Sequence, residues 1–212
     1  MTADATIRPA EPGDLDDLYD ICLRTGDAGQ DASATCTDPR LLGHLFVAPY
    51  AVLEPELAFV AVDAEGVAGY VVGTADSRAF EAKLEDDWFP ALRERYPDGS
   101  GEGFDAMLVA LLHHPMRAHD AVVAGHPAHL HIDLLPRLQG TGTGPVLMAT
   151  MHDACRDRGA AGMHLGVSQR NTRALGFYRH LGYATLHEDP ITVTMGLRLG
   201  GSSPGGGPSP CT

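Results

Sequence analysis

The chain has 212 residues, 44% of them hydrophobic, and a formal net charge of −13. That length suits one domain with a sizeable core. So acidic a chain is a poor partner for nucleic acid, and no apolar run approaches the length of a membrane span. No basic-plus-apolar leader opens the sequence. Cys22, Cys36, Cys155 and Cys211 have no paired spacing, so free thiols and a cytoplasmic location are expected. The charge is unevenly spread. Residues 1–66 carry 13 acids against 3 bases, 67–128 carry 10 against 5, and 129–212 carry 5 against 7. A polyanion is drawn to the last third and a cationic amine to the rest, although surface acids also serve solubility.

In chain order, Thr6 to Pro9 reads as a short strand. Asp14 then reads as the cap of a helix with Leu15, Leu18, Tyr19, Cys22 and Leu23 on one face. Asp38-Pro39 is an N-cap and N1 pair opening an apolar segment through Phe46. Leu57 to Asp63 and Val67 to Thr74 flank Ala64-Glu65-Gly66, an antiparallel hairpin by turn chemistry.

Residues 75–128 are too many for a connection and read as a helical insertion. Helices are predicted over Ser77–Tyr96, broken near Pro90, and Gly103–His114. Phe80, Leu84, Trp88 and Leu92 form one apolar stripe, and Met107, Leu108, Leu111 and Leu112 another. Trp88 fits that stripe as a packing residue, with a substrate contact as its second reading. Six of the 11 histidines lie between His113 and His131, but none forms an H-E-x-x-H pair or accompanies a Cys-x-x-Cys, so no metal site is expected.

Residues 129–135 read as a strand ended by Pro136. Alternation puts His129, His131 and Asp133 on one face, with Leu130, Ile132 and Leu134 on the other. Then comes Gln139-Gly140-Thr141-Gly142-Thr143-Gly144, with Pro145 and an apolar-periodic run opening a helix. Glycines at every second position let the backbone wrap a ligand, and free N–H groups at a helix start suit phosphate oxygens. Gly144 is not followed by Lys-Ser/Thr, which excludes a P-loop; the G-x-G-x-G spacing and the lack of an acid closing the next strand exclude a dinucleotide fingerprint. Met163 to Val167 reads as a strand. Asn171 caps a helix bearing Leu175, Tyr178 and Leu181, and Gly182 sits where a left-handed C-terminal residue belongs. Residues 183–199 supply the final strands, and a disordered Gly/Ser/Pro tail is expected from Gly200, leaving 1–199 as one domain.

The glycine loop resembles the Gln/Arg-x-x-Gly-x-Gly/Ala pyrophosphate loop of the GNAT N-acetyltransferases. Asn171, Ala174, Phe177, Tyr178, Gly182 and Tyr183 match that family's Asn-x-x-Ala-x-x-Phe-Tyr-x-x-x-Gly-Tyr/Phe hallmark. The resemblance implies an α/β (α+β) fold: a mixed, mostly antiparallel twisted sheet flanked by helices, with the insertion preceding the acetyl-CoA-binding strand. It implies acetyl-CoA as co-substrate, held by the backbone of Leu134 and Leu135, by Gln139, Gly140, Thr141, Gly142, Thr143 and Gly144, and by Asn171. Tyr178 corresponds to the proton donor to the coenzyme A sulfur. Asp133 is the candidate base, alone or through water; His131 is the alternative base and a candidate substrate contact beside Trp88.

Residues 69–97 further resemble the C-terminal acetyltransferase-like domain of eukaryotic O-GlcNAcases, at Gly69, Tyr70, Gly73, Thr74, Asp76, Phe80, Lys83, Trp88, Pro90 and Tyr96. That domain has lost the glycine loop; this chain keeps it, so acetyl-CoA binding is expected and glycosidase activity is not. Two functions follow: an N-acetyltransferase acting on a primary amine (small molecule or peptide lysine), or a coenzyme A-binding module without turnover. The inserted apolar helices could form a homodimer surface or a lid over the acceptor.

Overall fold

In a computed structural model of the protein, residues 5–200 are described, and the expectation for the tail lies, apart from Gly200, outside them. Seven strands form one sheet in the order β1-β2-β3-β4-β5-β7-β6: β1 (Thr6–Pro9), β2 (Ala58–Asp63), β3 (Gly66–Thr74), β4 (Ala128–Leu134), β5 (Gly162–Ser168), β6 (Ala184–Glu188) and β7 (Thr192–Arg198). Every pair is antiparallel except β4 and β5. This is the mixed, mostly antiparallel sheet that the sequence predicts.

The parallel pair determines the architecture. It joins only at Ala128↔Met163 and His129↔His164. Beyond that point β4 stays with β3 as far as Gly69↔Leu134, while β5 stays with β7 as far as Ser168↔Thr192. The sheet therefore forks, and the inner edge of β4 loses its neighbour from Leu130 onward. Helix α1 (Leu15–Thr25) covers the face bearing Asp133, and α2 (Leu41–Phe46) and α3 (Ala48–Leu53) pack beside it. Helix α8 (Thr143–Asp157) lies on the opposite face, where Leu134 meets its first turn at Gly144.

Two expected caps are displaced by stronger partners. Asp14 begins α1 but gives it no side-chain bond. Its carboxylate takes the Arg8 guanidinium at 2.7 and 2.8 Å and the Glu11 amide at 2.8 Å instead. Asp38 takes the Arg40 amide and the Tyr96 hydroxyl, and α2 starts at Leu41, two residues later than an Asp38 cap implies.

The insertion is helical as expected: α4 (Ser77–Lys83), a π-helical turn (Leu84–Trp88), α5 (Phe89–Arg95), α6 (Gly103–His113) and α7 (Asp120–Val123). Asp76 caps α4 by accepting from the Arg78 and Ala79 amides. The irregular turn precedes Pro90, which falls in the first turn of α5, where its missing N–H costs no hydrogen bond. The Asp105 carboxylate fastens the insertion to the preceding loop by accepting the Thr37 and Asp38 amides. Phe80, Leu108 and Leu112 join a single hydrophobic cluster with β2 to β5 and α8.

Candidate active site

A cleft of about 410 Å³ opens at the mouth of the fork, between β4, the glycine loop, the start of α8 and helix α9 (Thr172–His180). Gly140 and Gly142 adopt φ of +76° and +93°, a left-handed backbone that side chains resist. Gly144 is needed for space rather than for its dihedral: an added Cβ would lie 3.3 Å from Phe177 and 3.4 Å from Leu134. Among the described residues no protein acceptor meets the amides of Gly140 to Gly144. They converge on the N-terminus of a 15-residue helix, whose dipole adds positive potential there. Such an arrangement of main chain suits an anion.

The loop's side chains have other work. Thr141 donates to the Leu138 carbonyl at 2.7 Å and bonds the Thr143 hydroxyl at 2.8 Å, so both threonines turn away from the cleft that Gly140, Gly142 and Gly144 line. Gln139 spans the fork, donating through Nε2 to the Leu134 carbonyl at 2.7 Å and accepting from Arg173 at 2.5 Å. Arg173 lines the cleft beside the glycines and supplies a cation that motif reading passed over.

Leu134 and Leu135 have different fates. The Leu135 amide donates to Ala68 on β3 at 2.8 Å, and its carbonyl accepts from Leu138. Both groups are spent inside the fold, the side chain is buried, and Leu135 does not line the cleft. The pairing of Leu135 with β3 leaves Leu134, one residue earlier, aimed at the open side of the fork. Of the expected pair, Leu134 alone keeps a backbone group free toward the cleft.

Asp133 sits on the cleft floor. Burial raises its carboxyl to about 7, while the Tyr70 hydroxyl pulls it part of the way back. Tyr70 donates to Oδ2 at 2.5 Å; Oδ1 has no protein partner and is not sealed from solvent. A carboxylate raised toward neutrality, with one oxygen free, can accept a proton. Tyr178 lines the same cleft. Burial first, and the charge of Asp133 second, hold its hydroxyl above the ordinary tyrosine range, so it keeps its proton to donate.

Asn171 caps α9 through Oδ1 to the Ala174 amide at 3.0 Å and also lines the cleft. Its Nδ2 packs against Gly29, where a Cβ would approach within 2.9 Å. Thr25 and Gly29 complete the rim from the α1 side, and an Asp27–Arg170 ion pair at 3.0 Å ties that rim to the turn before α9. The structure thus brings together Asp133, Leu134, Gln139, Gly140, Gly142, Gly144, Asn171 and Tyr178. Two predicted substrate contacts lie elsewhere. Trp88 is half-buried and donates to the His44 carbonyl at 2.9 Å, lining no part of the cleft. His131 lines a second cavity, of about 210 Å³, on the insertion side of β4.

A sheet forked between its parallel strands, with free main-chain amides at the mouth and a carboxylate beneath them, is the arrangement expected of an acetyl-CoA-dependent acyltransferase. The model of the acetyltransferase (GNAT) family matches residues 27–183, and the chain belongs to that family. It is 28% identical over 181 residues to the protein O-GlcNAcase of Rattus norvegicus; the match covers 84% of this chain but only 20% of that protein's length. The crystal structure of SsHAT superposes with a TM-score of 0.87 at 42% identity, covering 92% of this chain and 98% of that one. The structure of yncA from Salmonella typhimurium, solved with its cofactor acetyl-CoA, shares the fold at a TM-score of 0.57 and 18% identity over 99% of this chain and all of that one.

Proposed function

We propose that the protein transfers the acetyl group of acetyl-CoA to a primary amine. One observation carries this reading: the unpartnered amides of Gly140 to Gly144 open onto the same cleft as the raised carboxyl of Asp133 and the protonated hydroxyl of Tyr178. Acetyl-CoA supplies the acetyl thioester, and the fit of a diphosphate to this main-chain cradle is supported by the positive helix end and by Arg173.

The Leu134 N–H polarises the thioester carbonyl, as a fixed donor does most effectively in a site shielded from water. Asp133, directly or through one water, removes the proton from the amine as its nitrogen bonds to the acetyl carbon. Tyr178 gives its proton to the sulfur as the carbon–sulfur bond breaks, leaving free coenzyme A; solvent then takes the proton from Asp133 and re-protonates the tyrosine. Gln139 keeps the fork open by binding the Leu134 carbonyl, so that only the N–H of that residue faces the ligand.

The test is a screen of amines, amino sugars and lysine peptides with acetyl-CoA, following thiol release. Release that depends on an amine and yields an N-acetyl product is expected. Acetyl-CoA binding without product from any acceptor would instead favour a binding module.

A further inference from the structure

The second cavity holds a hydrogen-bond chain whose direction the geometry determines. Ser77 Oγ lies 2.6 Å from the Pro127 carbonyl and 2.7 Å from His129 Nδ1. A carbonyl can only accept, so the serine proton points at Pro127 and His129 Nδ1 must carry the proton between itself and Ser77. His129 Nε2 is then an acceptor, and Tyr50 donates to it at 2.8 Å. That uses the one tyrosine proton, so His131 Nε2, 3.2 Å from the same oxygen, must be the donor. The chain ends at His131 Nδ1, a lone pair with no protein partner among the described residues and not sealed from solvent.

His131 faces this cavity, and Asp133, two residues further along the same face of β4, lines the cleft at the fork. Apart from that chain, Glu81 and His164, whose Nδ1 is held by the His126 carbonyl at 2.7 Å, the cavity is apolar, with Phe46, Phe80, Leu84, Phe89 and Leu111 among its walls. Its one carboxylate, Glu81, is taken by Arg78 at 2.8 Å and approached by Arg117 at 3.9 Å.

We propose that this cavity is the acceptor chamber, that the Ser77–His129–Tyr50 chain positions His131 to accept a hydrogen bond from the substrate nitrogen, and that the substrate is a small primary amine on an apolar body rather than a polycation. This rests on the acetyl-transfer reading above and names its acceptor class. His131 orients the amine and leaves the proton to Asp133: burial holds its imidazole down at about 4, too weakly basic to keep a proton taken from an amine.

Long-range ¹H–¹⁵N spectra of the histidine rings, recorded at pH 7 without turnover, test the chain directly. Neutral His129 protonated at Nδ1 and neutral His131 protonated at Nε2 are expected, with the His131 Nδ1 resonance moving on addition of 2-phenylethylamine. A charged His131, or one protonated at Nδ1, overturns the proposal. In turnover, Tyr50→Phe raises KM for 2-phenylethylamine about fivefold, the worth of one neutral hydrogen bond, with kcat and acetyl-CoA affinity little changed. Ser77→Ala does the same in part and serves if the first variant fails to fold. A lower KM for spermidine than for 2-phenylethylamine, or a KM unmoved in both variants, counts against the chamber. Loss of acetyl-CoA binding in the unaltered protein would instead remove the acetyl-transfer reading while leaving the histidine protonation states measurable.

Discussion

The two cavities flanking β4 are built by different means. The cleft uses main chain: a run of amides, two left-handed glycines and one strand edge released from its neighbour. The chamber uses side chains contributed by α3, α4, β4 and β5, with partners up to 81 residues apart in sequence. A main-chain site suits a ligand group common to many reactions, in the proposed function a diphosphate; a side-chain site suits what is particular to one. The sharing of β4 lets one strand present the Leu134 N–H to one compartment and His131 to the other.

The largest expected effect comes from the carboxylate between them. Asp133→Asn should lower kcat about 10³-fold with acetyl-CoA affinity nearly unchanged, and should abolish the acid limb of the rate profile near pH 7. A limb that persists in the variant assigns the base elsewhere. Tyr178→Phe should lower kcat about 10²-fold, again without weakening acetyl-CoA; unaltered turnover removes Tyr178 from the acid role. Gly142→Ala sharpens the contrast from the other side. At φ +93° a side chain costs about 1–2 kcal/mol, so acetyl-CoA affinity should fall about tenfold while the histidine spectra of the chamber stay as they were.

The last effect is on stability rather than on rate or affinity. Because the Asp133 carboxyl is raised from 3.8 to about 7, the folded protein keeps a proton that the unfolded chain releases between those values. Its stabilising contribution is complete below pH 4 and is lost as pH rises through 7. Asp133→Asn should therefore leave the melting temperature unchanged near pH 4 and raise it at pH 8, by an amount equivalent to about 1–4 kcal/mol. A variant less stable at pH 8 than the parent would contradict that burial.

The same contrast explains what was legible in the sequence. The glycine loop and the Asn171–Tyr183 segment are local patterns whose dihedrals and caps follow from neighbouring residues, and they fold as read. The strand alternation of His129, His131 and Asp133 was also readable, since it needs only a period of two. The choice between Leu134 and Leu135 was not, because it depends on which residue pairs with Ala68, 67 positions earlier. Tyr70 on Asp133 and Tyr50 between two histidines are invisible to any window for the same reason. Trp88 fitted its helical stripe, but its indole N–H was claimed by the His44 carbonyl from another helix. Thr141 and Thr143 belong to the motif by position, yet their hydroxyls bond each other and leave the cleft to the glycines.

Titration calorimetry of the purified protein with acetyl-CoA measures most directly whether the Gly140–Gly144 amides hold a diphosphate. Saturable one-to-one binding, weakened about tenfold in Gly142→Ala, is the result predicted. Absence of any binding heat across temperatures, or equal affinity in both proteins, would contradict it.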